Sequence, residues 1–334
     1  DDPKALELIM KVQHQTLRLA PDAFRRAEAM LDEANDLVIH SPRLMAVKAN
    51  LLFQSVNFGF STDQTRTGEA RRLADAAIAM DPECGLAYTA LSWIHSGRLR
   101  QAVQGLEFAE RAYELDPSDT WARIALGVTP LLLGVSRRVD PDAVLERMAR
   151  DNPLFPPAHA ARGIHHASRG RWAECLESLD EALRLEWNPA FALTRAMCLL
   201  QFERDAEALA TLERCLGESG PMFGVSRALY HAIRGEPDVA RPCLDDEVFE
   251  WARPDGEYSW HVARAYTLMG DAREALRWLD RAVDAQMWNW RLLAEHDRIL
   301  EPLRDSPEFV RIVGRARREQ ERVAARWAED GQTP

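Results

Sequence analysis

Small and apolar residues recur along this chain at fixed internal spacings. Ala263, Tyr266, Gly270, Ala275, Leu279 and Ala282 fall at offsets 0, 3, 7, 12, 16 and 19. Gly163, His166, Gly170, Cys175, Leu179 and Ala182 repeat those offsets. Ala228, His231, Gly235, Ala240 and Leu244 follow them too, with Glu247 last. Ala196, Leu199, Ala208, Leu212 and Cys215 also fit, with Glu203 where a glycine stands elsewhere. Between these marks the spacing is that of an amphipathic helix, as in Ala70, Leu73, Ala74, Ala77 and Ile78. No alternating stretch reads as a strand. Each block therefore predicts two helices, brought close by small residues and joined by a tight turn at the glycine.

Prolines mark the period. Ser41-Pro42, Asp81-Pro82, Asp116-Pro117, Asn152-Pro153, Asn188-Pro189, Gly220-Pro221 and Arg253-Pro254 are separated by 40, 35, 36, 36, 32 and 33 residues. Proline cannot continue a helix, so it ends one hairpin and begins the next. A period near 34 is that of a helical-hairpin solenoid, whose units bury their apolar faces only against neighbours. The pattern is longer than the period at Phe58 to Gly68 and at Val135 to Pro141.

These residues resemble the tetratricopeptide repeat (TPR) family, whose pattern is small, aromatic, Gly, Ala, large apolar, Ala and Pro. The resemblance implies an all-α, right-handed superhelical solenoid of about eight hairpins over residues 1–290. A capping segment and helix over 291–328 and a disordered tail over 329–334 complete the expected organisation. The run Leu300-Glu301-Pro302-Leu303-Arg304-Asp305-Ser306-Pro307-Glu308-Phe309 also resembles the closing segment of TPR modules in bacterial signalling proteins. Those proteins are serine/threonine kinases, class III adenylate cyclases and winged-helix regulators. Physically the run suits a cap. Leu300 and Leu303 close an apolar face, Pro307 starts a helix, and the helix offers a charged outer side.

Composition fits a long globular array. The 334 residues are 46% hydrophobic and 28% charged, with a net charge of -11. The acidic balance argues against nucleic acid as a partner. One basic run, Arg311, Arg315, Arg317, Arg318, Arg322 and Arg326, is broken by Glu319 and Glu321 and reads as a solvated helix face. The longest apolar stretch, about Ile124 to Val135, is too short for a bilayer span, which needs about 20 residues. Cys84, Cys175, Cys198, Cys215 and Cys243 show no metal-ligand spacing. They read as reduced thiols, which places the chain in a reducing compartment, the cytoplasm. The chain opens Asp1-Asp2 without methionine. The expectation is a segment cut from a longer protein, or a removed tag, with any targeting segment lost.

No catalytic constellation, cofactor motif or metal set stands out, so the expectation is a protein that is not an enzyme. His95, His166 and His231 recur three residues after the small position of a first helix. They form either a ladder of imidazoles or the aromatic slot that Tyr266 fills in its own unit. The latter is the expectation.

What remains is the surface. In TPR arrays the first helix of each hairpin lines the concave face. Carrying those positions over gives Trp93, Trp121, Ile124, Val128, Leu131, Ile164, Leu193, Met197, Leu200, Met222, Val225, Leu229 and Trp260. This stripe is apolar. TPR clamps for a partner's carboxylate use Lys, Arg and Asn there. Here only Arg264 and Arg195 come near, so such a clamp is not expected. Two readings of the stripe stand. It is a groove for a protein or peptide partner such as an amphipathic helix, or it is interior, filled by the chain's own terminal helix. The function expected is an interaction scaffold or regulatory module. Alternatives are a sensor for a small apolar ligand attached to a signalling domain, and a homodimerisation module.

Overall fold

A computed structural model describes residues 3–330. Residues 1, 2 and 331–334, including the end of the expected tail, lie outside the described residues. The described chain is helical from end to end, without a strand among its residues. It divides into two compact units, residues 1–126 and 127–334.

The first unit holds α1 (Pro3–Thr16), α2 (Pro21–Glu33), the one-turn α3 (Asn35–Val38), α4 (Pro42–Asn57), α5 (Thr65–Met80), α6 (Gly85–Gly97) and α7 (Ala102–Leu115). The boundary falls inside α8 (Thr120–Leu133). The amphipathic stripe read from the sequence packs as predicted. Ala70 and Ala74 of α5 are buried with Ala49, Leu52 and Phe53 of α4 and Ala90, Leu91 and Ile94 of α6, and Leu73 and Ile78 pack at the edge. The insertion at Phe58 is ordered by an aromatic cluster, with the Phe60 ring 5.1 Å from Phe24 and 5.8 Å from Phe58. Arg66 adds an ion pair to Glu28 at 2.6 Å, tying α5 to α2.

The second unit continues with α9 (Pro141–Asp151), α10 (Pro156–Ser168), α11 (Trp172–Leu185), α12 (Pro189–Leu200), α13 (Asp205–Glu213) and α14 (Pro221–Ile233). Next come the short α15 (Pro237–Ala240) and α16 (Asp246–Ala252), then α17 (Gly256–Leu268) and α18 (Ala272–Asp284). Small residues set the helix spacing. A side chain at Gly163 would meet Leu179 Cγ at 3.0 Å and the Cys175 carbonyl at 3.2 Å, so α10 and α11 approach on the glycine surface.

The periodic prolines serve in two ways. Pro42, Pro189 and Pro221 are first residues of helices, where the missing N–H is harmless. Ser41 and Asn188 cap two of them, Asn188 Oδ1 accepting from the Ala190 and Phe191 amides at 2.9 and 3.4 Å. Pro82, Pro117, Pro153 and Pro254 instead sit in turns just after a helix has ended.

After α18 the hairpin pattern stops. Residues 285–306 hold a π turn at Leu292–His296 and a 3-10 turn at Arg298–Leu303, and α19 (Pro307–Asp330) closes the described chain. Glu329 and Asp330, expected in a tail, belong to α19. The basic run on this helix is held within the molecule. Arg315 pairs with Asp280 and Asp284 at 2.8 Å, Arg317 with Glu321 at 2.7 Å, and Arg322 with Glu319 at 2.6 Å.

Gly170, Gly235 and Gly270 turn their hairpins at φ 70°, 72° and 76°. Glu203 takes the equivalent turn at φ 58°, where a side chain costs about 1 kcal/mol. Its exposed ion pair with Arg298 returns less than that. Glu203→Gly is expected to raise stability by about 0.5 kcal/mol, read as a higher urea midpoint. An unchanged or lower midpoint would show that the Arg298 pair outweighs the strain.

Candidate functional site

The concave-stripe residues are mostly covered. Trp121, Ile124, Leu131, Leu193, Met197, Leu200, Met222, Val225, Leu229 and Trp260 are buried. Trp93, Val128 and Ile164 are half-buried. In the second unit, an open groove along this stripe is therefore corrected to an interior surface. Along α8, α10, α11, α12 and α17 the chain's own segment after α18 lies against this surface. The segment's Met287, Leu292, Leu293, Ile299, Leu300 and Leu303 are all buried.

Polar contacts fix where the segment runs. The Trp288 and Asn289 amides donate to the Leu132 carbonyl at the end of α8, at 2.7 and 2.8 Å. Asn289 Nδ2 donates to the Ser168 carbonyl of α10 at 2.7 Å. Trp172 Nε1 of α11 donates to the His296 carbonyl at 2.9 Å. The Arg298 amide donates to Gln201 Oε1, just past α12, at 2.8 Å. Gln320 Nε2 of α19 reaches the Leu133 carbonyl at 2.7 Å. The segment thus touches α8, α10, α11 and the end of α12, and with α19 it satisfies carbonyls that the ends of α8 and α10 leave free.

At its centre stands Asp297, 0% exposed. Its Oδ2 accepts from Arg264 Nε at 2.8 Å and Trp260 Nε1 at 2.9 Å. Its Oδ1 accepts from Arg264 Nη2, Gln201 Nε2 and the Ile299 amide, each at 3.2 Å. The Arg264 guanidinium, 1% exposed, lies 3.7 Å over the Trp260 ring. Arg264 does clamp a carboxylate, then, but one belonging to this chain. Sequence reasoning noticed Arg264 and missed its partner 33 residues away.

The histidines do not form a ladder. His95 packs edge-on against Phe108 at 5.0 Å, the role of an aromatic in that slot. His231 Nδ1 pairs with Glu236 at 2.8 Å. His165 is buried, with Nδ1 against the Gly127 carbonyl at 3.1 Å and Nε2 3.3 Å from Asp142. Asp142 also binds Arg171 at 2.6 Å. Cys84, Cys175, Cys198 and Cys215 are buried and Cys243 is half-buried. The neighbouring Cys198 and burial push the Cys175 thiol well up, which keeps it unreactive. Among the described residues, no group of three or more His, Cys, Asp or Glu is placed to hold a metal. No helix among them is long and apolar enough to cross a membrane.

The first unit keeps open space beside Trp121. A cavity of about 160 Å³ is lined by Gln13, Leu17, Arg43, Leu86, Asp119 and Trp121, with Asp116, Ser118 and Thr120 at the same wall. A second, of about 10 Å³, lies among Gln13, Thr16, Asn50, Thr89 and Trp121. Leu6 and Met10 on α1 are 41% and 64% exposed. At about 100° per residue, Leu6, Met10, Gln13 and Leu17 share an arc of about 60°. An exposed apolar strip on α1 therefore leads toward the cavity. Of the sequence-derived stripe, Trp93, Trp121 and Ile124 belong to this unit, and the Trp93 and Trp121 rings meet edge-to-face at 6.1 Å. The sequence reading missed Asp119, Asn50 and the α1 strip, although Leu6 and Met10 at i, i+4 were a visible signal.

Two outcomes follow for the second unit. Asp297→Ala leaves Arg264 buried without a counter-charge and is expected to destabilise the unit by about 3–5 kcal/mol. Asp297→Leu/Arg264→Met is expected to lose far less. Equal losses in the two variants, by urea denaturation, would contradict the pairing. Buried His165 and half-buried His166 give the second outcome. Burial lowers His165, and burial with Arg171 nearby lowers His166 from 6.5 to about 4. The fold thus favours the neutral imidazole. This contribution is complete above about pH 6.5 and is lost as pH falls toward 4. His166→Phe is expected to flatten the stability slope between those limits. An unchanged slope would assign it elsewhere.

No protein-family model matches the sequence, and no curated protein matches it. Solved structures do. A chain of the APC/C hetero-tetramer Cut9–Hcn1 superposes with TM-score 0.53 at 14% identity, over 92% of this chain and 59% of that one. A thermophilic TPR protein of Thermus thermophilus is 24% identical over 51% of this chain and 91% of its own, with TM-score 0.43. A TPR protein of Parabacteroides merdae is 13% identical over 93% and 98%, with TM-score 0.41. The repeat offsets, the glycine turns and the stacked hairpins make the described chain an all-α solenoid with the fold of the tetratricopeptide-repeat proteins, and the first of these matches shares its fold.

Proposed function

We propose that this chain is a protein-interaction module that takes a segment of a partner on the inner side of its first unit. The observation that carries this is the exposed strip of α1. Leu6 and Met10 stand in water on the helix face that continues, through Gln13 and Leu17, into the cavity beside Leu86 and Trp121. Exposed apolar surface adjoining a cavity is where an incoming chain gains most from leaving water.

The second unit supports the same reading from the other side. There the inner surface already holds an irregular segment, bound by backbone hydrogen bonds, an anchoring carboxylate and apolar side chains. That is how a helical solenoid grips a peptide. The first unit offers similar elements with no segment of the described chain lying over Met10.

The test is photo-crosslinking of the intact protein in source-cell lysate. A photoreactive residue replaces Met10, and in a control replaces Val310, an exposed apolar residue of α19. The expected result is a discrete adduct with another protein from position 10, lost when Leu6→Glu is added. Adducts only with a second copy, or only from position 310, would overturn the reading.

A further inference from the structure

We infer that the partner segment enters the first unit with a basic side chain, lysine or arginine, whose cation pairs with Asp119 in the cavity wall. The inference rests on the docking reading above and names the chemistry of its occupant.

Asp119 is 7% exposed, and its carboxylate takes hydrogen bonds from Thr89 and from the Trp121 and Ala122 amides. Oδ2 accepts from Thr89 Oγ1 at 2.6 Å and Oδ1 from the Trp121 amide at 3.1 Å. Of about four acceptor sites on a carboxylate, one is left for a further donor. Among the described residues no cation lies within ion-pair range of it. The hydrogen bonds and the first turn of α8 compensate part of the charge. Burial outweighs them and pushes the carboxyl up. A buried carboxylate without a cation is a costly arrangement, in contrast to Asp297, which has Arg264.

The surroundings fit a basic residue of a peptide. The cavity of about 160 Å³ is far larger than the about 10–15 Å³ that one water needs. Leu17, Leu86 and the Trp121 ring can receive an aliphatic stem, and an indole face attracts a cation. Arg43 and Asp116 in the same wall carry opposite charges, so Asp119 sets the balance. A second group lacks a partner. Trp121 is 5% exposed, lines both cavities, and has no acceptor for its Nε1–H. Asn50 Oδ1, beside the smaller cavity, has no donor. A basic residue brings both a cation for Asp119 and a main-chain carbonyl for an indole N–H. The net charge of -11 favours the approach of such a segment.

A random dodecapeptide display library, selected on the intact protein, tests this. Asp119→Asn, which keeps a side chain able to cap α8, and Leu6→Glu/Met10→Glu serve as comparison proteins. The expected result is a set of peptides sharing one lysine or arginine at a fixed place among apolar residues. Replacing that residue by norleucine, or Asp119 by Asn, is expected to weaken binding about tenfold or more. The weakening should shrink at high salt. Peptides that need Leu6 and Met10 but bind wild type and Asp119→Asn alike would overturn the anchor and leave the docking reading standing. Peptides indifferent to Leu6→Glu/Met10→Glu, or none at all, would overturn both.

Discussion

The second unit depends on one buried ion pair. Asp297 and Arg264 are both withdrawn from water, and neither is tolerable there alone. Five donors on one carboxylate, with an indole ring beneath the guanidinium, make the pair a geometric lock. Its consequence is positional. With Asp297 fixed, the chain on either side can only run along the inner helices, and Leu292, Leu293, Leu300 and Leu303 are drawn into the apolar surface there. The apolar stripe and the terminal segment are two halves of one core.

This divides the two units by their inner surfaces. In the second, the stripe has found its partner within the chain, so methionines and leucines that resemble an adaptable groove are core. In the first, α1 keeps apolar side chains in water beside a cavity whose wall holds a carboxylate without a cation. Asp297 and Asp119 are the same chemical group in two states of completion. One has its arginine from the same chain, and the other is a place where an arginine or lysine would complete an equivalent contact.

The hairpins were legible in the sequence because they are local. The offsets from Ala263 to Ala282, the glycine turns, and even the irregular Glu203 lie within one period, and each contact they encode joins neighbouring helices. The caps at Ser41, Asn188 and Asp255 are local in the same way, each bonding amides two or three residues on. The filled inner surface was not legible. Its contacts join Gln201 to Asp297 across 96 residues and Leu133 to Gln320 across 187. Residues 285–306 carry no helical period to say where they go. Arg264 in an apolar stripe was the one local trace, a charge that needed a counter-charge from elsewhere. Asp119 was hidden differently. As the residue before a helix it reads as an ordinary cap, and since Asp255 is as deeply buried, only the cavity beside Asp119 sets it apart.

Hydrogen–deuterium exchange on the intact protein tests the central claim most directly. If the terminal segment is core, the amides of Trp288, Asn289 and Asp297 to Leu300 exchange as slowly as those of α17, because they open only when the unit unfolds. If they exchange at the rate of an exposed loop while α17 stays protected, the segment is a loose cover, and the stripe beneath it is a groove after all.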